Sequence, residues 1–252
     1  MKEEMILEVS NLRAGYGEQV VVEDLSFGLR RGEILCLAGE SGSGKSTVLK
    51  ALIGSLDAKV FSGEIRMSGA PAGMIFQNPG ASFNPIRSYK KQFIETLKSH
   101  KKYDKTKFQQ QVGEAFAKVD LKDPERLLKE CPYALSGGMN QRMALALAML
   151  LGQEVLLEDE PTSALDATTA LQVAKELRKL RDKDGISQII VTHNLAMAGF
   201  LADRIGIMYQ GRLVEMGDAD QVLHHPEHPY TKSLLAAIPR LGGELVKGGD
   251  GR

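Results

Sequence analysis

Apolar positions change their period several times along the chain, and the changes divide it. Short apolar runs open the sequence at Ile6–Val9, Val20–Phe27 and Glu33–Ala38. Runs of this length rich in Val, Leu and Phe predict strands. Two further strand-like stretches follow, GEIRMSG (63–69) and GMIFQ (73–77). From about Asn84 to Leu151 the pattern turns helical and charged, and strand signals return at Glu154–Asp159 and Ser187–Thr192. Between these two strands Leu171, Ala174, Leu177 and Leu180 share one face of a helix over Ala167–Lys183, which Gly185 can end. GIMYQGRLVEMG (206–217) reads as a hairpin, and Thr231–Ile238 as a packed amphipathic helix.

Strands alternating with helices predict an α/β core around a largely parallel sheet. The helical block at about 84–151 reads as a subdomain inserted into one domain spanning 1–241. The Gly-rich stretch 242–252 reads as a loose tail. No internal repeat or low-complexity tract interrupts this pattern.

Composition adds mainly exclusions. With 252 residues, 43% hydrophobic and 25% charged, the chain has an ordinary globular make-up. Lys+Arg and Asp+Glu number 32 each, so no basic excess points to nucleic acid. Cys36 and Cys131 form no CxxC pair, which suggests neither a zinc site nor a disulfide framework and fits a reducing, intracellular setting. MKEEMILEVS lacks the apolar core of a signal peptide, and no run of about 18 apolar residues occurs, so a membrane role is expected to come through partners.

The strongest chemical signal is GESGSGKS (39–46), a complete G-x-x-x-x-G-K-S/T phosphate loop between a strand, EILCLA, and a helix. Gly39, Glu40, Ser41, Gly42, Ser43 and Gly44 would wrap phosphates with backbone N–H groups. Lys45 would put charge on the β- and γ-phosphates, Ser46 would offer a hydroxyl to Mg²⁺, and Thr47 would reach the α-phosphate region. In VLLEDEPTSALD (155–166) an apolar strand ends in Asp159, suited to the Mg²⁺ shell, and Glu160 is placed to polarise a water. A solvated acidic turn is the alternative there. His193, closing SQIIVTH, reads equally as a structural strand-end residue, and Gln77 as a solvated loop residue. Tyr16 in LRAGYGEQVV is either an adenine-stacking ring or a packed turn tyrosine.

LSGGMNQRMALALAML (135–150) adds a second candidate anion site. Ser136 reads as the N-cap of a helix over Met139–Leu150, and Gly137 and Gly138 leave backbone N–H groups uncovered. One chain would thus hold two phosphate sites far apart in sequence.

Tyr16, GESGSGKS, Gln77, LSGGM-NQR, LLEDEPTSALD and His193, in this order, resemble the ATP-binding-cassette (ABC) ATPases over nearly the whole chain. The resemblance implies a P-loop NTPase fold with a parallel-sheet core, an antiparallel β subdomain and an inserted helical subdomain. It implies ATP and Mg²⁺ as cofactors, with Tyr16 stacking on adenine and Gly39 to Thr47 as the phosphate cradle. Ser46, Gln77 and Asp159 would be associated with the metal, Gln77 would also contact the attacking water as a catalytic residue and report to the membrane subunit, Glu160 would be the catalytic base and His193 the γ-phosphate sensor. In that family Ser136–Gly138 cap ATP held by the phosphate loop of a partner subunit. One ATP then bridges two chains, which explains the second anion site, and SALD (163–166) resembles the segment crossing that interface.

QNPGASFNP (77–85) and HHPEHPYTKSLLAAIP (224–239) are similar to stretches of the oligopeptide, dipeptide and nickel importer ATPases. This implies an ATPase subunit peripheral on the cytoplasmic face of the membrane. Its partners would be a second, different ATPase chain, two permease subunits and, indirectly, an extracytoplasmic binding protein. The cargo would be dipeptides or oligopeptides, or nickel or metal chelates; peptide-handling relatives often continue into a longer, Cys-containing tail, so the short chain leans slightly toward the nickel or metal-chelate side. A soluble ABC ATPase of other function, a docking subunit of low activity and an unrelated P-loop kinase are the competing readings.

Three features depart from plain expectation. Glu158 stands before Asp159, where relatives carry a small or apolar residue. Strand alternation turns it away from Asp159, onto a face where it needs a polar partner or solvent. His224, His225 and His228 read as surface histidines of a docking tail, with a metal site as the sharper alternative. The basic residues from Arg87 to Lys107 read as a solvated helical face, with lipid headgroups or a membrane subunit as the alternative.

Overall fold

Residues 4–163 and 165–237 are described by the structure, a computed structural model. Two long antiparallel strands, β1 (Met5–Tyr16) and β2 (Gln19–Arg30), pair with β4 (Lys59–Met67) in the order β2-β1-β4. They run well past the predicted Ile6–Val9 and Val20–Phe27. Asn11 takes a left-handed φ of 49°, and register shifts between Val9 and Leu12 absorb it as a bulge.

The second sheet has six strands in the order β5-β6-β7-β3-β8-β9, comprising β3 (Ile34–Ala38), β5 (Ala72–Ile75), β6 (Val155–Asp159), β7 (Ser187–Thr192), β8 (Arg204–Tyr209) and β9 (Arg212–Asp218). All neighbours are parallel except β8 and β9, joined through Gln210 and Gly211, both at positive φ. The four central strands are buried almost throughout, as expected of strands covered on both faces.

On one face of this sheet Leu35, Leu37, Val155 and Leu157 pack with β1, β2 and helix α1 (Lys45–Leu52). On the other, Cys36, Leu156 and Ile190 pack with the remaining helices. Between β5 and β6 the chain forms α2 (Tyr89–Ser99), α3 (Phe108–Lys118), the short α4 (Pro124–Leu127) and α5 (Gly137–Leu150). After β6 come α6 (Ala167–Asp184), ended by Gly185 at φ 68°, then α7 (Leu195–Leu201), α8 (Ala219–His224) and α9 (Pro229–Ala236). Ile238 and the expected tail at 242–252 lie outside the described residues. Among the described residues no helix is long and apolar enough to cross a membrane.

Strand order positions the chemistry. β6, β7 and β3 are adjacent and parallel, with Asp159 paired to Val191 and Thr192 to Ala38. Their carboxyl ends therefore finish within one residue of each other, at the edge where open α/β sheets bind ligands.

Candidate active site

The loop after β3 is shaped by close approach. A Cβ on Gly39 would fall 2.2 Å from the Met208 carbonyl oxygen, and Gly44 caps α1 at φ 100°, so neither position accepts a side chain without strain. Glu40 and Ser41 are exposed, whereas Ser43, Lys45 and Thr47 are buried. Lys45 Nζ donates to the carbonyls of Gly39 (2.9 Å) and Glu40 (2.7 Å) and to Ser43 Oγ (3.3 Å). Burial lowers its pKa, opposed by the charges of Glu160, Asp159 and Glu40.

Ser46 Oγ donates to Asp159 Oδ1 at 2.9 Å, joining loop to β6. Burial raises the Asp159 pKa, and the Ser46 hydroxyl counters it. Glu160 follows at φ 47°, held there by its N–H on the Val191 carbonyl (2.9 Å). A non-glycine residue in this region stores strain of a kind found at functional sites. The turn throws the Glu160 carboxylate against His193, with Oε1 2.8 Å from Nδ1. Gln77 Nε2 donates to Glu160 Oε2 (3.4 Å) and to Ser163 Oγ (3.2 Å). Gln77 lies two residues beyond β5 rather than at the strand end read from GMIFQ, because pairing with β6 stops at Ile75.

Tyr16 ends β1 beside the loop. Thr47 Oγ1 donates to its hydroxyl at 3.2 Å, and the Lys50 ammonium lies 5.4 Å from its ring centroid. Tyr16 is 37% exposed, which leaves surface for a stacking base.

Ser136, Gly137 and Gly138 are a separate group. Ser136 caps α5 by accepting from Met139 N–H at 3.3 Å. The helix begins at Gly137, two residues before the start read from sequence, so both glycines lie in its first turn. Ser136 and Gly137 are exposed, and Gly138 is buried where a Cβ would come within 2.8 Å of Thr169 Cγ2. The Arg142–Glu176 ion pair (2.6 Å) further ties α5 to α6. Among the described residues no hydrogen bond links Ser136–Gly138 to the Gly39–Thr47 loop.

Two expectations need correction or narrowing. Glu158 is fully buried, and neither carboxylate oxygen has a partner among the described residues, so it has neither the polar partner nor the solvent expected of it. Strand alternation places it on the face of Leu156, against the helices, and burial pushes its carboxyl up to about 8. The histidine tail shows no metal grouping among the described residues. His228 Nδ1 accepts from Tyr230 N–H as the cap of α9, and His224 lies 3.0 Å from Asp220.

Ser46 Oγ and Asp159 Oδ1 bring hard oxygen donors together, a pair that fits Mg²⁺ completed by phosphate oxygens and water, with Gln77 bonded to the neighbouring Glu160. Contacts not anticipated from sequence are Lys50 over Tyr16 and the approach of α9. Leu234 of α9 lines a cavity of about 420 Å³ with Gly39, Glu40, Ser41, Glu160 and His193.

A family profile described as ABC transporter matches residues 22–163. That match covers more than half of the chain. A second, described as oligopeptide/dipeptide transporter, C-terminal region, matches residues 214–249. The chain belongs to the ABC transporter ATP-binding proteins of the oligopeptide/dipeptide family. It is 36% identical to the dipeptide transport ATP-binding protein DppD of Bacillus subtilis, over 96% of this chain and 80% of that one. It is 34% identical to the oligopeptide transport ATP-binding protein OppD of Lactococcus lactis, over 95% of this chain and 77% of that one. The glutathione import ATP-binding protein GsiA of Escherichia coli matches 97% of this chain at 34% identity, and this chain spans 44% of its length. CbiO1 of Clostridium perfringens, part of the ABC transporter complex CbiONQ, superposes with a TM-score of 0.77 at 25% identity, over 88% of this chain and 92% of that one. A dimeric ATP-binding cassette in a post-hydrolysis state with ADP and Pi superposes at 0.71 and 26% identity, over 84% and 98%. This ABC protein is therefore an ATP-binding ATPase coupled to transport, built on the expected fold.

Proposed function

We propose that this ABC subunit binds MgATP on the Gly39–Thr47 loop and hydrolyses it to power import of peptides or a peptide-like cargo such as glutathione. The observation that carries this is the meeting of three strand ends, where Lys45, the Ser46–Asp159 pair and the Glu160–His193–Gln77 cluster converge. Mg²⁺, held by Ser46 and Asp159 with Gln77 beside it, would neutralise charge on the phosphates. Lys45 holds the terminal phosphates, Thr47 the α-phosphate, and Tyr16 the adenine. Glu160 accepts a proton from the attacking water, and His193, 2.8 Å away, orients that carboxylate and meets the γ-phosphate. The Glu160–His193 contact favours a hydrolysing subunit over a docking partner.

Ser136–Gly138, exposed at a helix start and not bonded to the loop, are the surface that caps ATP on a second chain. The subunit works at the inner membrane face as one of two ATPase chains, a heterodimer in the cell, under two permease subunits fed by an extracytoplasmic binding protein. The names of the dipeptide, oligopeptide and glutathione relatives support the peptide side. The nickel side, drawn from chain length, gains no support from them.

Replacing Lys45 with Ala removes a charge-assisted contact and should weaken ATP binding by about 30-fold, on the order of 2 kcal/mol. Equilibrium binding of ATP to wild type and variant measures this, and equal affinities would contradict the cradle. The role as a whole is tested by affinity purification from native membranes with mass spectrometry. Two permease chains and a second ATPase chain should accompany the subunit. Soluble proteins or nucleic acid alone would overturn the transport role and leave only the ATP chemistry.

A further inference from the structure

Helix α9 lies some 190 residues beyond the phosphate loop in sequence, yet it touches the loop directly. Tyr230 Oη accepts a hydrogen bond from the Glu40 N–H at 3.3 Å, and Leu234, one turn on, lines the cavity that Glu160 and His193 face.

The tyrosine is held in place from several sides. Its ring packs on Tyr209, the last residue of β8, with centroids 4.1 Å apart. The start of α9 is fastened to β9, since the Glu215 carboxylate accepts from the Glu227 N–H (2.7 Å) and the His228 N–H (3.1 Å). His228 then caps the helix through Tyr230 N–H, and Pro229 occupies the first helical position, where its missing N–H costs nothing. The hydroxyl is thus presented by a braced helix rather than by a free side chain.

Its partner is the residue on which the loop turns. The Glu40 N–H goes to Tyr230, and the Glu40 carbonyl accepts from Lys45 Nζ at 2.7 Å and from the Ser43 N–H at 3.2 Å. The Glu40 N–H shares its planar peptide unit with the Gly39 carbonyl, which accepts from Lys45 Nζ at 2.9 Å, so fixing that peptide fixes a carbonyl against which the Lys45 ammonium rests. A loop with glycines at 39, 42 and 44 has much conformational freedom to lose when it closes on phosphate. An anchor that orders it beforehand lowers that cost.

We infer that Tyr230 is a positioning residue for the phosphate loop: from the C-terminal helix it fixes the Glu40 peptide and, through it, the resting place of Lys45. This rests on the proposed role of Lys45 in binding ATP. Because the anchor acts before nucleotide binds, it stabilises ground state and transition state alike, so its loss should appear in KM rather than in kcat.

The test is Tyr230→Phe in the full chain, which keeps the ring on Tyr209 and deletes only the acceptor. Tyr209→Phe is the control, since it removes a neighbouring hydroxyl that meets Gln210 and not the loop. Equilibrium binding of ATP in the presence of Mg²⁺ and steady-state hydrolysis are measured for each. Tyr230→Phe should raise both the dissociation constant and KM about fivefold, the size of one neutral hydrogen bond, with kcat within twofold and the nucleotide-free melting temperature lower by no more than about 2–4 °C. Tyr209→Phe should bind as wild type does. Wild-type affinity in Tyr230→Phe, or equal loss in both variants, would overturn the inference while leaving the Lys45 assignment standing. A wild-type chain that fails to bind ATP would overturn both.

Discussion

Glu160→Gln should lower ATP hydrolysis by about a thousandfold while leaving ATP affinity within a few-fold of wild type. The substitution preserves shape, and with the amide oxygen accepting from Gln77 at 3.4 Å the amide NH2 can donate to His193 Nδ1 at 2.8 Å, so both keep a partner. What it removes is the basicity that takes a proton from water, and a positioned general base contributes roughly 10²–10⁴-fold. The backbone at Glu160 is strained at φ 47° and fastened through the Val191 carbonyl of β7, so the turn that aims the side chain is set by main-chain bonding between β6 and β7 and survives the change. Steady-state phosphate release, measured beside equilibrium ATP binding, separates chemistry from affinity. Turnover within tenfold of wild type would remove Glu160 from the role of base.

The second large effect is on stability, at Glu158. A carboxyl with no exposure and no hydrogen-bond partner among the described residues is a cost to the fold, and Leu fills nearly the same volume without it. Burial raises the Glu158 pKa to about 8, above the roughly 4.3 of an unfolded glutamate. The folded chain therefore holds this proton more tightly than the unfolded chain does, and wild-type stability falls as pH rises from about 4.3 through 8. The loss is on the order of 2–5 kcal/mol, and Glu158→Leu should remove it. At about 2–4 °C per kcal/mol for a chain of this size, Glu158→Leu should melt roughly 4–20 °C higher than wild type near pH 8.5, with a smaller gain near pH 5.5. Thermal denaturation of both proteins at the two pH values gives the answer. A variant less stable at both would mean that the carboxylate has a stabilising partner.

What could be read from sequence was what is local in sequence. The phosphate loop occupies nine consecutive residues, and its strand and helix adjoin it, so Gly39 to Thr47 were legible at once. Ser136 as a cap was legible for the same reason, although the helix start was misplaced by two residues. Glycine reads as a breaker, whereas Gly138 is required there by the closeness of Thr169. The meeting of Ser46 with Asp159, 113 residues apart, follows only from the strand order β6-β7-β3, which alternation of apolar residues does not encode. Resemblance supplied that link beforehand. The face of Glu158 was legible from strand alternation, but the helices that seal that face were not. Tyr230 was visible only as a family marker, because its contact with Glu40 depends on how β8, β9 and α9 stack at the end of the chain.

The separation of Ser136–Gly138 from the phosphate loop is the part of the account with most at stake, because it requires one ATP to be held by two chains. Sedimentation equilibrium of the Glu160→Gln chain, alone and mixed with the second ATPase chain recovered from the membrane complex, tests it most directly. MgATP should double the mass in the mixture, and ADP should leave it unchanged. Chains that bind ATP and remain monomeric both alone and in the mixture would contradict it.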